Sequence, residues 1–369
     1  MTDFAQKENF YWFDLSNPSE NKVYRDVWLD TPYNRPHDHP GFLELMKPCG
    51  YRPSAVVYHY SLKSHIIYPF YSCCLSALPA FNDIAEKFMH MVSSYGYGGP
   101  LFCGSPQEID NASERFHVLF SQELFKRGYV TEFIREDIFS NRLVKNSIGQ
   151  VIVQQPNIVV RLDRAYEEIW RCYKAKVRKN VNRAREHGLR VEFDWGGDKL
   201  DDFLKIYYET MARNNASKSF YVSRESFRKA VETLGKDGGL LYAHVYEGKD
   251  IISTELLLLS NDAIYSFLGG TLAAAFDKRP NDLLKHEVIL WGAQKGFKWY
   301  VLGGGVTSGD GIYKYKEAFD KESIFHFSVR RIIHNPDAYE LLIQAREKYE
   351  KSQGREWQPN PDFFPEFLS

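Results

Sequence analysis

The apolar positions in the second half of the chain change period several times, and each change marks an element. From Asp163, a residue type suited to an N-cap, to Gly188, suited to follow a helix C-terminus, the pattern predicts one long helix. LRVEFDW then alternates as a strand. In LDDFLKIYYETMARNNA the residues Leu200, Phe203, Leu204, Tyr207 and Met211 share one helical face, and a further helix is expected from Ser223 to Leu234. GLLYAHVYEG, DIISTELLLLS and AIYSFLGGT are strand patterns separated by Gly248-Lys249-Asp250 and Asn261-Asp262, which predicts a meander. Asn281 or Asp282 is placed to cap a helix closing at Gly296, KWYVL reads as a short buried strand and Gly303 to Gly305 as a turn. A short helix through KYKEAF and a last strand, SIFHFSVRRI, complete the order β-α-α-β-β-β-α-β-α-β.

The first half is less regular. Residues 54–74 read as two β-rich runs joined at Lys63-Ser64, residues 80–93 and 107–127 as helices, and VTEFIRED as a strand. QVIVQQPNIVVRL is the last β-rich piece before the basic helix, and a domain boundary is expected near Asn157.

Length supports that division, because 369 residues exceed what one hydrophobic core usually encloses. The five cysteines form no C-x-x-C pair, so neither a disulfide framework nor a zinc site is indicated, and reduced thiols in a cytoplasm are expected. The opening MTDFAQKENFYWFDL has charges where a secretory signal needs an apolar core, and no later run is long enough for a membrane span. His37-Asp38-His39 has metal-capable side chains without a third spaced ligand, and no metal is expected. A net charge of −1 does not advertise nucleic acid, and no DNA partner is expected. Locally the picture changes: Arg171 to Arg190 holds eight Lys or Arg against Glu186 alone, a charge of +7. Such a stretch is either a solvated helix face or a contact for phosphate, and Arg178 and Arg183 are its candidate phosphate contacts.

Four motifs in the second half, in order, resemble those of the FemAB-like transferases. Lys176 to Gly188 resembles that family's R-K-N-x-x-x-A-x-x-x-G helix, and YYETMAR, ending at Arg213, its helix closing in T-x-x-R. Pro280-Asn281-Asp282-Leu283-Leu284 with Glu287 is similar to P-x-x-L-L-x-x-E, and Gly303-Gly304-Gly305 with Gly311 to Phe319 to G-G…G-L-Y-x-F-K-x-x-F. In the first half the likeness rests on Ser94 to Pro100, which looks like S-P-Y-G-Y-G-G-P. The resemblance implies an α/β (α+β) fold of two tandem GNAT-like domains, each a mixed twisted sheet flanked by helices. The GNAT element order matches the string read above. The first domain is expected over residues 1–157 and the second, with the reaction centre, over 158–331, the tail 332–369 packing on the first. The chain departs from the family in having no long helical hairpin and in having Asp320 where the last signature usually ends in Gly. It also lacks the R/Q-x-x-G-x-G/A loop that holds the coenzyme A pyrophosphate in ordinary GNAT enzymes.

The implied activity is amide formation on an amino group of a nucleotide- or lipid-linked sugar or muropeptide, in the making of a bacterial surface polymer. No bound cofactor is expected; the co-substrate is aminoacyl-tRNA or acyl-CoA, so tRNA is a partner in the first case, and contact with the membrane is transient. Amide formation needs a neutral amine, a held carbonyl and stabilisation of the oxyanion. Lys316, with Tyr315 beside it, is the candidate for the last task, and Asp310 and Glu287 are candidate bases or amine-orienting groups. Arg213 offers a fork for a phosphate or carboxylate of the acceptor, with Tyr207 and Tyr221 beside it. Two other readings stay open: a non-catalytic pair that binds a glycan precursor or serves as a scaffold, and a sugar O-acyltransferase, for which His286 beside Glu287 is the base to inspect.

Overall fold

The structure, a computed structural model, describes residues 9–32, 34–139, 144–145, 148–305, 307 and 309–369; most of the opening segment examined for a secretory signal lies outside them. Contacts divide the chain into two units, Met1–Thr31, Met46–Gln154 and Ser328–Ser369 forming one and Pro32–Leu45 with Gln155–Phe327 the other. The stretch Pro32–Leu45 therefore groups with the second half, and the tail from Ser328 with the first.

The first unit is built on an eight-stranded sheet with the order Asn9–Asp14, Arg52–His59, His65–Cys74, Met89–Ser93, Tyr129–Arg135, Ser328–Ile333, Gln150–Val153, and Leu101–Cys103 pairing off the third strand. Phe116, Phe120 and Leu124 of the helix Ile109–Lys126 pack on Tyr58, Tyr68 and Phe70. Ala338, Tyr339 and Leu342 of the helix Pro336–Ser352 form a separate cluster with Cys73, Phe81 and Val130. Alternating side chains of one sheet can serve both layers because successive residues point to opposite faces.

The second unit has a seven-stranded sheet in the order Ile324–Phe325, Asn157–Arg161, Trp299–Gly303, Ala263–Thr271, Asp250–Leu259, Leu240–Glu247, Arg190–Asp194. The expected meander is the antiparallel centre of this sheet, turned at Gly248, whose φ of +60° suits glycine. The helix Pro280–Gln294 joins Ala263–Thr271 to Trp299–Gly303, so those two strands run parallel. Its apolar side chains Leu283, Leu284, Val288 and Ile289 lie in the unit's main core, with Val177 and Val181 of the helix Ala175–Glu186.

Four local expectations change. Residues 80–93 hold the short 3-10 turn Pro79–Phe81 and then the strand Met89–Ser93, because pairing on both sides overrides the helical spacing of the apolar residues. The long basic helix is two helices, Tyr166–Cys172 and Ala175–Glu186. The break comes where Tyr173 turns into the core and Lys174 N–H bonds the carbonyl of Ala318 at 2.8 Å. Asp163 pairs with Arg161 at 3.0 Å, and the cap position before the first of these helices is Ala165. The helix expected to be capped by Asn281 or Asp282 begins at Pro280, after Arg279 in the left-handed region (φ 61°); proline fits there because its missing N–H is not needed in the first turn. SIFHFSVRRI is cut in two, Ile324–Phe325 belonging to the second unit and Ser328–Ile333 to the first.

Candidate functional site

The parallel pair in the second unit holds register for three residue pairs, from Ala263↔Trp299 to Tyr265↔Val301. Beyond them Ala263–Thr271 continues against Asp250–Leu259, while Trp299–Gly303 follows Asn157–Arg161. Where the two strands part, a cavity of about 420 Å³ opens between Ser266–Thr271 and the helix Gly311–Glu317. Gly270 permits the close approach of its strand to the helix Leu200–Arg213: a Cβ there would lie 2.2 Å from Thr210 Oγ1 and 2.9 Å from the Ile206 carbonyl.

Gly311–Glu317 is fixed at its start by Asp310, whose carboxylate accepts from the N–H of Tyr313 at 2.7 Å and of Thr307 at 3.0 Å. From this helix Lys316 enters the cavity and donates from Nζ to the Gly304 carbonyl at 2.6 Å. Burial, then the nearby Lys285 charge, lowers the Lys316 pKa to about 8, with Glu255 and Asp310 acting the other way. Tyr315 also lines the cavity, its ring 5.5 Å from that of Phe319. Burial holds its phenol protonated well above the ordinary range, the carboxylates of Asp282 and Glu255 adding to the effect.

A buried ionic cluster forms the inner wall. Lys285 Nζ donates to Glu255 Oε1, to Ser266 Oγ at 2.7 Å and to Tyr300 OH at 3.2 Å. Tyr300 OH donates to Glu255 Oε2 at 3.0 Å and Ser266 Oγ to Oε1, so three donors hold one carboxylate. A buried charge is tolerable only when compensated in this way. At the other end Arg213 donates to Thr210 Oγ1 and the Thr271 carbonyl, both at 3.2 Å, and its guanidinium lies 5.0 Å from the ring centre of Phe276.

Of the residues singled out from sequence, Lys316, Tyr315 and Arg213 thus line one cavity. The others have different surroundings. Asp310 is a helix cap. Glu287 pairs with Arg185 at 3.0 Å. His286 is buried between Tyr173 OH (3.2 Å) and Arg185 (2.9 Å), and burial, then the Arg185 charge, lowers its pKa to about 4. Tyr207 is a core residue whose hydroxyl donates to the Phe220 carbonyl at 2.6 Å, and Tyr221 is exposed and stacked on Tyr208. Arg178 donates to the carbonyls of Trp170 (3.3 Å) and Tyr173, closing the end of Tyr166–Cys172, and Arg183 is exposed. Sequence reasoning missed Glu255 and Lys285. The signal was present, since each is a charge at a position whose neighbours, STELLLL and DLLKHEVIL, are patterned for burial.

His37-Asp38-His39 is occupied by protein partners: Asp38 accepts from Arg35 at 2.6 Å, and His39 meets Asp237 at 2.9 Å. Among the described residues no group of His, Cys, Asp or Glu has the arrangement of a metal site, and no helix is long and apolar enough to cross a membrane.

Residues 171–317, which include the parallel pair and the helix that bridges it, match the family model described as Acetyltransferase (GNAT) domain. The chain as a whole has a mixed α/β fold of two GNAT-like domains, similar in fold to FemX. The crystal structure of FemX matches with a TM-score of 0.64 at 13% identity, covering 87% of this chain and 98% of that one. The C-terminal domain of a protein assigned as a lysylphosphatidylglycerol synthetase from Agrobacterium fabrum matches at 0.55 and 13% identity, over 89% and 96%. L-PGS from Bacillus licheniformis matches at 0.54 and 11%, over 93% and 98%. At these identities the likeness is one of fold. No curated protein matches the chain in sequence.

Proposed function

We propose that the chain transfers an acyl or aminoacyl group to an amino group on a nucleotide- or lipid-linked sugar or muropeptide. The observation that carries this reading is the ammonium of Lys316, held on the Gly304 carbonyl inside the cavity where the strands part. In the reaction the acceptor nitrogen bonds to the acyl carbon, the bond from that carbon to the donor oxygen or sulfur breaks, and the proton lost by the amine passes to that departing atom, leaving an alcohol or thiol. Negative charge gathers on the acyl oxygen before the leaving group departs, and a cation already in place lowers that barrier without reorganising. Arg213, Lys285 and Lys316 line the cavity with Glu255, three cations to one anion, which suits a substrate that carries phosphate or carboxylate.

For the donor we propose aminoacyl-tRNA. The segment after Ala263–Thr271 is the compact 3-10 turn Ala273–Lys278, without the glycine-spaced loop that a coenzyme A pyrophosphate needs, and FemX and L-PGS share the fold. The test is a mass-spectrometric assay of UDP-linked amino sugars and muropeptides incubated with the chain and each donor in turn. Mass added with charged tRNA alone supports the full reading, and mass added with acyl-CoA alone corrects the donor. An acceptor that binds and gains no mass from either donor overturns the reaction in favour of a non-catalytic binding protein. No observation favours O-transfer, since His286 is enclosed by Tyr173 and Arg185 and does not line the cavity.

A further inference from the structure

One arginine of the first unit, Arg135, is largely enclosed and has no carboxylate partner among the described residues. Arg135 ends the strand Tyr129–Arg135, and its backbone N–H bonds Ser93 Oγ at 2.8 Å. The register Tyr71↔Val92↔Phe133 sets those three residues abreast on one face of the sheet, and alternation puts Arg135 on that same face. There the guanidinium lies 5.2 Å from the ring centre of Phe133 and 5.9 Å from that of Tyr95. Its hydrogen bond through Nη1 reaches the Ser93 carbonyl at a long 3.4 Å. The phenols of Tyr95, Tyr71 and Tyr51 are near enough to act on its charge.

Among the described residues no carboxylate pairs with it, and the acids on its own strand and just beyond are engaged elsewhere. Glu132 accepts from Tyr68 at 2.7 Å and meets His334 at 2.9 Å, Glu136 accepts from Arg330 at 2.8 Å, and Asp137 accepts from the N–H of Phe139 at 3.0 Å. Burial pulls the Arg135 pKa below the ordinary arginine value, opposed by the three phenols, yet an arginine stays charged in a protein. A guanidinium in such surroundings gains from aromatic faces, but its five N–H donors remain mostly unused, and an enclosed unpaired charge is costly. Enclosure is not complete: Arg135 keeps part of its surface, and Tyr95 beside it is 36% exposed.

We infer that Arg135 anchors a binding site within the first unit for an oxyanion, a phosphate or a carboxylate, on a ligand that enters beside Tyr95. The planar fork suits bidentate pairing with either group. Burial keeps the phenols of Tyr51 and Tyr95 protonated. Neither Arg135 nor Tyr95 lines the cavity of Lys316, and the inference stands whether or not the transferase reading holds.

The test uses the full chain, with sodium pyrophosphate and sodium acetate at matched ionic strength, read by calorimetric titration and thermal melting. Binding of pyrophosphate assigns the site to a phosphate ligand, and binding of acetate to a carboxylate ligand. Either should be lost in Arg135→Gln, weakened about ten- to a hundredfold in Arg135→Lys, which keeps charge but not the fork, and unchanged in Arg127→Gln. Arg127 is the control because it also lies over a ring, 4.1 Å from the centre of Trp12. Without ligand, Arg135→Met should keep or raise the Tm, since it removes an unpaired charge from an enclosed position. A lower Tm for Arg135→Met would make the arginine a structural cation–π partner, and equal anion binding by wild type and Arg135→Gln would remove the site. Should the Met variant fail to fold, Arg135→Lys still decides through its loss of affinity.

Discussion

Each unit buries a glutamate against a tyrosine hydroxyl and a basic side chain, and the two surroundings diverge from there. In the first, Glu132 accepts from Tyr68 OH at 2.7 Å and meets His334 Nε2 at 2.9 Å, beside a void of about 10 Å³, room for one water at most. In the second, Glu255 accepts from Tyr300, Ser266 and Lys285 and forms a wall of a 420 Å³ cavity that also receives Lys316. The backbone reason is visible in the sheets. Met89–Ser93 and Tyr129–Arg135 stay paired through Val92↔Phe133, with a further bridge at Gly98↔Glu136, whereas the second unit's parallel pair parts after Tyr265↔Val301. A shared scaffold therefore yields a closed polar contact in one case and a chemically equipped cleft in the other.

The largest effect should come from breaking the two glutamates separately. Glu255→Gln leaves the Lys285 ammonium buried without its counter-charge and should cost about 3 to 5 kcal/mol, whereas Glu132→Gln keeps an acceptor for Tyr68 and should cost about 1 to 2 kcal/mol. Urea midpoints of the two variants check this. The double variant Glu255→Gln, Lys285→Met should recover most of the loss, since replacing both members of a buried pair is often nearly neutral. Equal costs at the two sites would mean that the cluster by the cavity is no more demanding than the closed one.

Activity separates the units more sharply than stability does. Lys316→Met keeps much of the apolar stem, so the fold should persist while kcat falls about a hundred- to a thousandfold, some 3 to 4 kcal/mol, with KM little changed. A raised KM with kcat intact would move Lys316 from the acyl oxygen to a donor phosphate. The pH profile tests the charge state. With the Lys316 pKa near 8, a catalytic ammonium predicts full rate below that value and decline as pH rises through it. A rate that rises through 8 would make the neutral amine the working form. In Lys285→Met the decline should move to higher pH, because the like charge that depresses Lys316 is gone.

The order of elements in the second half was legible because each has its own period and boundary residues, such as Gly248 in the meander and Pro280 at a helix start. Lys316, Tyr315 and Arg213 were legible through motif likeness, and the cavity brings those three together. What escaped depends on distant parts of the chain. Met89–Ser93 is a strand because Cys73 and Thr131 flank His90, which local spacing does not reveal. Asp310 has the composition of a base and the geometry of a cap, and Glu287 meets Arg185 across two helices. Glu255 and Lys285 stand 30 residues apart and gain meaning only as a pair.

The basic helix tests the comparison from its periphery, with smaller effects. Arg178→Gln removes donors from the carbonyls of Trp170 and Tyr173 and should cost about 1 kcal/mol of stability, as other lost hydrogen bonds do. Arg183→Gln, at an exposed site, should stay within about 0.5 kcal/mol. If Arg183 contacts substrate phosphate, its loss should raise KM and flatten the dependence of KM on salt, with the fold intact. Unchanged kinetics would reduce the +7 stretch to a solvated face and confine recognition to the cavity.

The smallest expected effect is at Lys314, and its smallness gives the Lys316 result its meaning. Both lysines are on the helix Gly311–Glu317, yet two residues apart on a helix they project about 200° from one another. Lys316 turns inward to Gly304, whereas Lys314 is exposed and is absent from the cavity lining. Lys314→Met removes the same charge from the same last turn, so any general loss of field or of favourable interaction with the helix C-terminus, a few tenths of a kcal/mol, is common to both substitutions. Lys314→Met should then leave kcat and KM within about twofold of wild type, an energy of about 0.4 kcal/mol. Equal losses at the two positions would show that the charge acts at long range, and the reaction centre proposed for the second unit would lose its named residue.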